Sequence, residues 1–567
     1  MSRLEKKQPA RCTDLPLKNA DICSKLKILK QLLKSCYGPT GRLKQIHNNI
    51  GGQVVTTSTS VVLLPTLSST EPFINLIRTS IINHISRFSD CGLFAGILCL
   101  SLIEEAQLSS LRKDVCQKVN KYLLGLCTSY LQQEDCACKV KVDFNSSHCL
   151  IRLAHGVISS KPACVLRESE ILHITRLIVQ GFLLTVPCDK PGAVKLGRIV
   201  TLAVEGLPVM DSTIFPGLLL ETPDLSLHLT GLLNCGQLRT IIFTASLAGD
   251  LSELGEGTIV VHKGMDVEVQ ILDQLLKIGE KVVKDEVKLF MCQKVIHPVL
   301  QQYLRYHGIV VIERLGINLL EPVIQLTGAQ PVATLHSIPP RAYGKVKEIT
   351  IRQFGSKIML HLVPTEETAI CTLILCHRNE TMLNELKVAC EKAQHVLRLT
   401  LRDQFAVYGA GCSETHLAAY IRYKVNFKAS KTIDLDTATM FGCMQTEYVL
   451  AAEGFCRSLE SVTAALDHNG GSSLIDLTHA HHWTLPTDMT TDEMDRTLGL
   501  CRCGVVQYCK DYKWSFLNTK YTEFSPAAVS GEADVLDSFT AKVNGLQVAV
   551  ETANLALDVQ YIIQDTN

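Results

Sequence analysis

The chain of 567 residues carries 56 lysines and arginines against 56 aspartates and glutamates, and 46% of it is hydrophobic. Zero net charge argues against nucleic acid or an acidic membrane surface as the main partner and puts no obstacle before association with other proteins. The length suffices for about three domains, since single cores seldom exceed about 250 to 300 residues, and no run of about 18 apolar residues is present to cross a bilayer. The opening MSRLEKKQPARCTD has no apolar stretch behind its basic residues, which predicts no secretory signal and an intracellular protein. Its 23 cysteines are then expected as free thiols, most of them buried as small hydrophobes, as at Cys99, Cys127, Cys371 and Cys376.

Taken in chain order, Ile22, Leu26, Leu29 and Leu33 recur at helical spacing and stop at Gly38 and Pro39. Val54 to Leu64, with β-branched residues on both sides of a Ser/Thr cluster, predicts a strand and hairpin. Helices are predicted over Phe73 to Phe88, Leu93 to Gln107 and Lys113 to Gln132. Around Asp143 the texture changes to shorter helices, over Cys149 to Ser159 and Glu168 to Leu184, and strands within Val194 to Leu207. A further domain begins near Met210 to Leu220.

Asp285 to Leu335 reads as strand, helix, strand, helix, strand: 287–292, 298–307, 309–312, 318–326 and 331–335, with Gly308 and Gly328 as helix stops. That order implies a parallel layer with right-handed crossovers. No glycine-rich phosphate loop follows its first strand, so a dinucleotide site is not expected. His297, at the turn before the second element, reads as a capping residue. Ile370 to Cys376 is a strand, Glu380 to Arg402 a long helix, and Asp537 to Ile563 a terminal helix. Ser472 to Pro526, with its DMTTDEMD segment, reads as a surface excursion.

The stretch Arg87 to Leu98, RFSDCGLFAGIL, places one carboxylate, Asp90, before a Gly92-containing turn that opens a helix. Backbone N–H groups and the helix dipole at such a turn attract phosphate, while a carboxylate can hold Mg²⁺. Upstream lies YGPTGRLK (Tyr37 to Lys44), and much later YGAGCSE (Tyr408 to Glu414).

These segments resemble the group II chaperonins, the ATP-driven folding rings of the eukaryotic cytosol. There, GPxG, NDG, GDGTT and GGGxxE turns converge on one nucleotide. The first is kept here as Gly38, Pro39 and Gly41 and the last as Gly409 and Gly411 with Glu414. NDG is replaced by Ser58, Thr59, Ser60, and GDGTT by Ser89, Asp90, Cys91, Gly92, Leu93. Counting back from Gly409, the helical position where the family has a water-activating acid is Lys392. FMCQKVIHPVLQQYLRYHGIVVIERL matches the substrate-contacting apical segment, and KVNGLQVAVETANLALDVQYII, with Lys542, the terminal helix.

The resemblance implies an α/β multidomain chaperonin subunit. Its largely helical equatorial domain spans 1–143 and 405–567, its small α/β intermediate domain 144–211 and 370–404, and its α/β apical domain 212–369, with a lid region at about 249–276. It implies nucleotide contacts from Gly38, Pro39, Gly41, Asp90, Gly92, Gly409 and Gly411, Asp90 as the remaining Mg²⁺ ligand for ATP, and substrate contacts from Gln301 and Tyr303. With the family carboxylates replaced at Thr59 and Lys392, efficient hydrolysis is not expected, because losing such an acid costs several powers of ten in rate.

The chaperonin-like branch it most resembles implies a cytosolic, centrosome-associated factor. Such a factor joins other chaperonin-like and cytosolic chaperonin subunits and assembles BBSome subunits for cilia. An ATP-cycling chaperonin and a purely structural ring component are the alternatives. His479, His481 and His482 near Cys501, Cys503 and Cys509 are zinc-ligand types, but their spacing, like that of Cys136 and Cys138, does not fit a structural zinc site, and no zinc is expected.

Overall fold

A computed structural model describes residues 11–47, 54–67, 69–134, 136, 138–186, 196–221, 237–249, 267–334, 338–365, 369–430, 435–466, 483–484, 513–514 and 535–564. They form two compact units, Met1–Val179 with Asn384–Asn567, and Gln180–Leu383.

The first unit is mainly helical. Strand β1 (Arg11–Asp14) precedes α1 (Ala20–Lys34), whose cap Asn19 accepts the Asp21 N–H at 2.9 Å and whose Ile22, Leu26, Leu29 and Leu33 are buried, as their spacing predicts. Strands β2 (Lys44–His47) and β3 (Val54–Thr57) pair antiparallel. The predicted strand beyond them is instead helix α2 (Ser60–Thr66), which places Leu63 and Leu64 side by side in the core. A strand would have sent these neighbours to opposite faces.

Helices α3 (Pro72–Phe88), α4 (Gly92–Leu108) and α5 (Lys113–Gln132) occupy their predicted segments. Every residue of α4 from Gly92 to Ile103 is buried, because α1, α3, α14 (Gln445–Ala464) and the terminal helix (Phe539–Asp558) surround it. Strand β15 (Phe405–Tyr408) lies between β4 (Lys139–Lys141) and β18 (Leu536–Ser538), and leads through a glycine turn to α12 (Cys412–Ser430). The terminal helix is shorter than predicted. Tyr561–Gln564 form strand β19 on β1, a pairing with the far end of the chain that periodicity does not reveal.

In the second unit, β14 (Ile370–His377) runs parallel to β5 (Arg198–Glu205) and antiparallel to β6 (Thr213–Pro216). A second sheet is β12 (Glu348–Phe354), β13 (Lys357–Val363) and β7 (Leu218–Glu221), all antiparallel. The predicted parallel layer is present in the order β10 (Val310–Ile312), β9 (Val287–Cys292), β8 (Leu238–Phe243), with β11 (Tyr343–Val346) antiparallel at its edge.

Helix α8 (Val267–Lys284) links β8 to β9, and α9 (Pro298–Tyr306) links β9 to β10. The predicted third strand reduces to one bridge between Val332 and Phe243, because β8 takes the place beside β9. Helix α10 (Ile317–Thr327) ends at Gly328, whose φ of 71° is the left-handed stop that the glycine predicts. Most of the expected lid, 250–266, lies outside the described residues. Among those described, no helix is long and apolar enough to cross a membrane.

Candidate nucleotide site

Between α3 and α4 the chain turns through Ser89, Asp90 and Cys91, with φ of 58° at Ser89 and 60° at Cys91. A left-handed conformation costs a side-chain-bearing residue about 1–2 kcal/mol, so this backbone is held by its surroundings. His84, buried and made less basic by that burial, donates from Nε2 to the Asp90 carbonyl at 3.0 Å and packs on Phe88. At Gly92 a Cβ would stand 2.8 Å from Ser60 Oγ and closer still to Ile85, so close packing requires the glycine. Cys91 provides no side-chain cap, and the buried N–H groups of Gly92, Leu93 and Phe94 meet no acceptor among the described residues.

The Ser/Thr turn beside Gly92 is clamped by a carboxylate that the sequence does not point to. Buried Glu385, on helix α11 (Glu380–Asp403), accepts the Thr57 hydroxyl at 3.0 and 2.9 Å, the Ser58 N–H at 3.3 Å and the Thr59 hydroxyl. Thr59 is thereby committed to an internal partner. Two turns further along α11, Lys392 is only 4% exposed, and its charge is felt by Lys161, Asp90, Glu385 and Cys91. Burial, helped by the neighbouring Lys161, lowers its amine to about 7.

The first and last glycine turns meet at the C-terminal end of α14. A Cβ on Gly38 would lie 2.6 Å from Leu466, the Thr40 hydroxyl faces the Leu466 carbonyl at 3.5 Å, and Gly411 packs on Thr463. Pro39 follows Gly38 in that turn, and a Cβ on Gly41 would stand 2.6 Å from the Cys36 carbonyl. Ala410 keeps a left-handed φ of 54°, and Gly409 lies against Asp537.

Behind them Lys542 pairs with Glu414 at 2.5 Å and Asp537 at 2.9 Å, with its ammonium 4.4 Å from the Phe94 ring centre. The two carboxylates hold the Lys542 amine well above its ordinary range against the opposing effect of burial, and burial raises Asp537. This one cation therefore ties α4, α12 and β18 together.

A profile described as the TCP-1/cpn60 chaperonin family matches residues 29–567. The chain belongs to that family. "Molecular chaperone MKKS" of Homo sapiens is 44% identical over the whole of both chains, and its Mus musculus counterpart 45%. More distant is "Thermosome subunit beta" of Sulfolobus acidocaldarius, 22% identical over 95% of this chain and 89% of its own. These likenesses support a chaperone-like role and the α/β multidomain subunit architecture.

Two chaperonin substrate positions expected from the sequence, Gln301 and Tyr303, lie in the second unit, half-buried and engaged. Gln301 donates to Glu313 at 2.7 Å and to the Ile296 carbonyl at 3.1 Å. Tyr303 packs on Gly279 and on the His307 ring. Exposed apolar side chains on α9 and in the turn before it are Tyr306, Val299 and Val295, and Ile317 at the start of α10 is also exposed. His297 caps α9, its Nδ1 accepting the Val299 N–H at 3.3 Å.

The described cysteines are free, and most are buried, including Cys99, Cys127, Cys371 and Cys376. Cys136 and Cys138 are buried with sulfurs 3.4 Å apart. The candidate zinc ligands between 479 and 509 and most of 472–526 lie outside the described residues.

The turn before α4 offers free amides to an anion and one carboxylate to a cation. Free amides at a buried helix N-terminus attract phosphate, whereas Mg²⁺ requires several hard oxygens. Of the side chains around the turn, Asp90 alone offers an uncommitted carboxylate. Thr59 and Glu385 satisfy each other, Glu414 and Asp537 hold Lys542, and an amine stands beside Asp90. Among the described residues no cluster of three or more His, Cys, Asp or Glu side chains could hold a metal. The residues fit a phosphate group, and a Mg²⁺ ion there would have Asp90 as its side-chain carboxylate and would complete its shell with phosphate oxygens and water.

Proposed function

We propose that this chain is a chaperonin-type assembly factor that holds partly folded protein subunits without efficient ATP turnover. The observation that carries this reading is the pair of substitutions on either side of Asp90: a threonine committed to Glu385, and a buried lysine on α11. Hydrolysis by this architecture needs a held metal and an oriented water, and neither substituted side chain can replace a carboxylate in those tasks.

The clients are BBSome subunits on their way into the ciliary coat complex, and the partners are other chaperonin-like and cytosolic chaperonin subunits. The place of work is the cytosol and centrosome. The overall likeness to the MKKS chaperones supports the chaperone role, and the exposed Tyr306, Val299 and Ile317 supply apolar surface for a client.

The test is pull-down of BBSome subunits from cells expressing wild-type chain or a Tyr306→Ser/Ile317→Ser variant, with ATP present or depleted. Recovery by the wild type in either condition and its reduction in the variant are expected. Capture that requires ATP turnover would favour the rival reading, a cycling ATPase, to which the retained left-handed turn around Asp90 lends its support.

A further inference from the structure

Two cysteines, Cys136 and Cys138, lie in the short connection between helix α5 and strand β4. Their sulfurs are 3.4 Å apart and in hydrogen-bond contact. A disulfide bond of about 2.05 Å is within reach of a small rotation of either side chain. The connection is anchored at both cysteines: the Cys136 carbonyl accepts the Lys139 N–H at 3.1 Å, and the Cys138 carbonyl accepts the Tyr408 N–H at 3.1 Å. The Lys139 ammonium folds back on the Gln132 carbonyl at 3.2 Å and so stays beside the pair. Cys136 keeps 4% of its surface next to the exposed run Gln132 to Glu134, and Cys138 keeps none, so a small molecule reaches the first cysteine before the second.

The chemistry of the two sulfurs differs from that of the other buried cysteines. Burial alone raises the Cys99 thiol and pushes Cys127 up to about 12, which leaves almost no thiolate to react at neutral pH. At Cys136 the hydrogen bond from Cys138, aided by the Lys139 ammonium, outweighs burial and lowers the thiol. The same bond, together with burial, holds the proton on Cys138. One cysteine is therefore disposed to attack and its neighbour to resolve.

We propose that Cys136 and Cys138 are a reversible redox pair, oxidised by hydrogen peroxide to a disulfide. The Cys136 thiolate attacks one peroxide oxygen; the O–O bond breaks, and the departing hydroxide takes up a proton to leave as water, with a sulfenic acid on Cys136. The Cys138 thiol then attacks that sulfur. The S–S bond forms, the S–O bond breaks, and the hydroxyl leaves with the Cys138 proton as a second water. The two sulfurs give up two electrons and the peroxide accepts both, and a dithiol reductant restores the pair by exchange. In a reducing compartment such a bond is a transient sensor and not a permanent cross-link. This claim is independent of the assembly reading.

The experiment treats the purified full chain with a few equivalents of hydrogen peroxide, alkylates the remaining thiols in denaturant, and maps tryptic peptides by mass spectrometry. Cleavage after Lys121 and Lys139 releases one peptide that also holds Cys127, a reference within the same fragment. The expected product carries one alkyl group, on Cys127, and a Cys136–Cys138 disulfide, and dithiothreitol before alkylation restores three alkyl groups. Cys99 and Cys127 should react at least about tenfold more slowly, as the scarcity of their thiolates requires. Cys138→Ser should stop at a sulfenic acid on Cys136, trapped by dimedone, and Cys136→Ser should give neither product.

Absence of the disulfide from the folded wild type, oxidation of Cys99 and Cys127 at the same rate, or a bridge from either cysteine to any other would overturn the proposal. So would a dimedone adduct on Cys138 in Cys136→Ser. The wild-type map needs no variant, so it decides the question even where a serine substitution unfolds the chain.

Discussion

The Glu385 carboxylate lies 2.9 Å from the Thr57 hydroxyl, across 328 residues of sequence. Through Thr57, Ser58 and Thr59 this one side chain fixes the turn that precedes α2. Glu385→Ala would leave two hydroxyls and an amide unsatisfied in the interior, at about 1–3 kcal/mol for each buried group left without a partner. We expect a loss of about 3 kcal/mol or more in urea unfolding; a loss below about 0.5 kcal/mol, the scale of an ordinary surface change, would show that the clamp is not structural.

Lys392 gives a pH signature. In the unfolded chain its amine is protonated below its ordinary 10.5, and in the folded chain only below about 7. Between those values the unfolded chain holds more protons, so this group makes stability rise with pH, and its full penalty applies below about 7. Lys392→Met should therefore stabilise the fold most at and below pH 7, with the gain fading towards pH 10.5. Urea unfolding of both proteins across this range checks it, and a gain that grows with pH would contradict the burial argument.

Ser89 carries a side chain at a φ of 58°. Ser89→Gly should relieve strain and stabilise the chain by up to about 1 kcal/mol, while Ser89→Val should destabilise it by a similar amount or more. Comparison of thermal midpoints decides this, and loss of stability in the glycine variant would mean that the Ser89 side chain makes a contact worth more than the strain.

The Lys542–Glu414 pair is 5% and 1% exposed, whereas the Arg457–Glu105 pair is 45% and 21% exposed. Removing one partner of a buried pair costs about 3–5 kcal/mol and breaking an exposed one about 0–1 kcal/mol. Lys542→Met should accordingly be far more destabilising than Arg457→Met in denaturant unfolding, and equal effects would show that Asp537 and Glu414 are relieved in some other way.

Much of this architecture is legible in the residues. The spacing of Ile22, Leu26, Leu29 and Leu33 gives α1, the uninterrupted apolar run after Gly92 gives a helix buried on every side, and Gly308 and Gly328 mark helix ends. Lys392 can be found by counting back from Gly409. Features set by distant partners are hidden. Leu63 and Leu64 read equally well as strand or helix until Glu385 fixes the preceding turn, and Tyr561–Gln564 become a strand only because β1 offers an edge. Asp537 and His84 enter the site through packing that no motif announces. Gln301 looks like an exposed helix residue, yet Glu313 across the next strand engages it.

The most direct measurement is phosphate release from ATP by the purified chain in Mg²⁺, compared with Asp90→Ala. The account predicts no release above background from either protein, with both folded, since the metal and water positions are replaced by a clamped threonine and a buried amine. Steady Mg²⁺-dependent turnover that disappears in Asp90→Ala would contradict it, and would show that one carboxylate suffices for a cycling chaperonin.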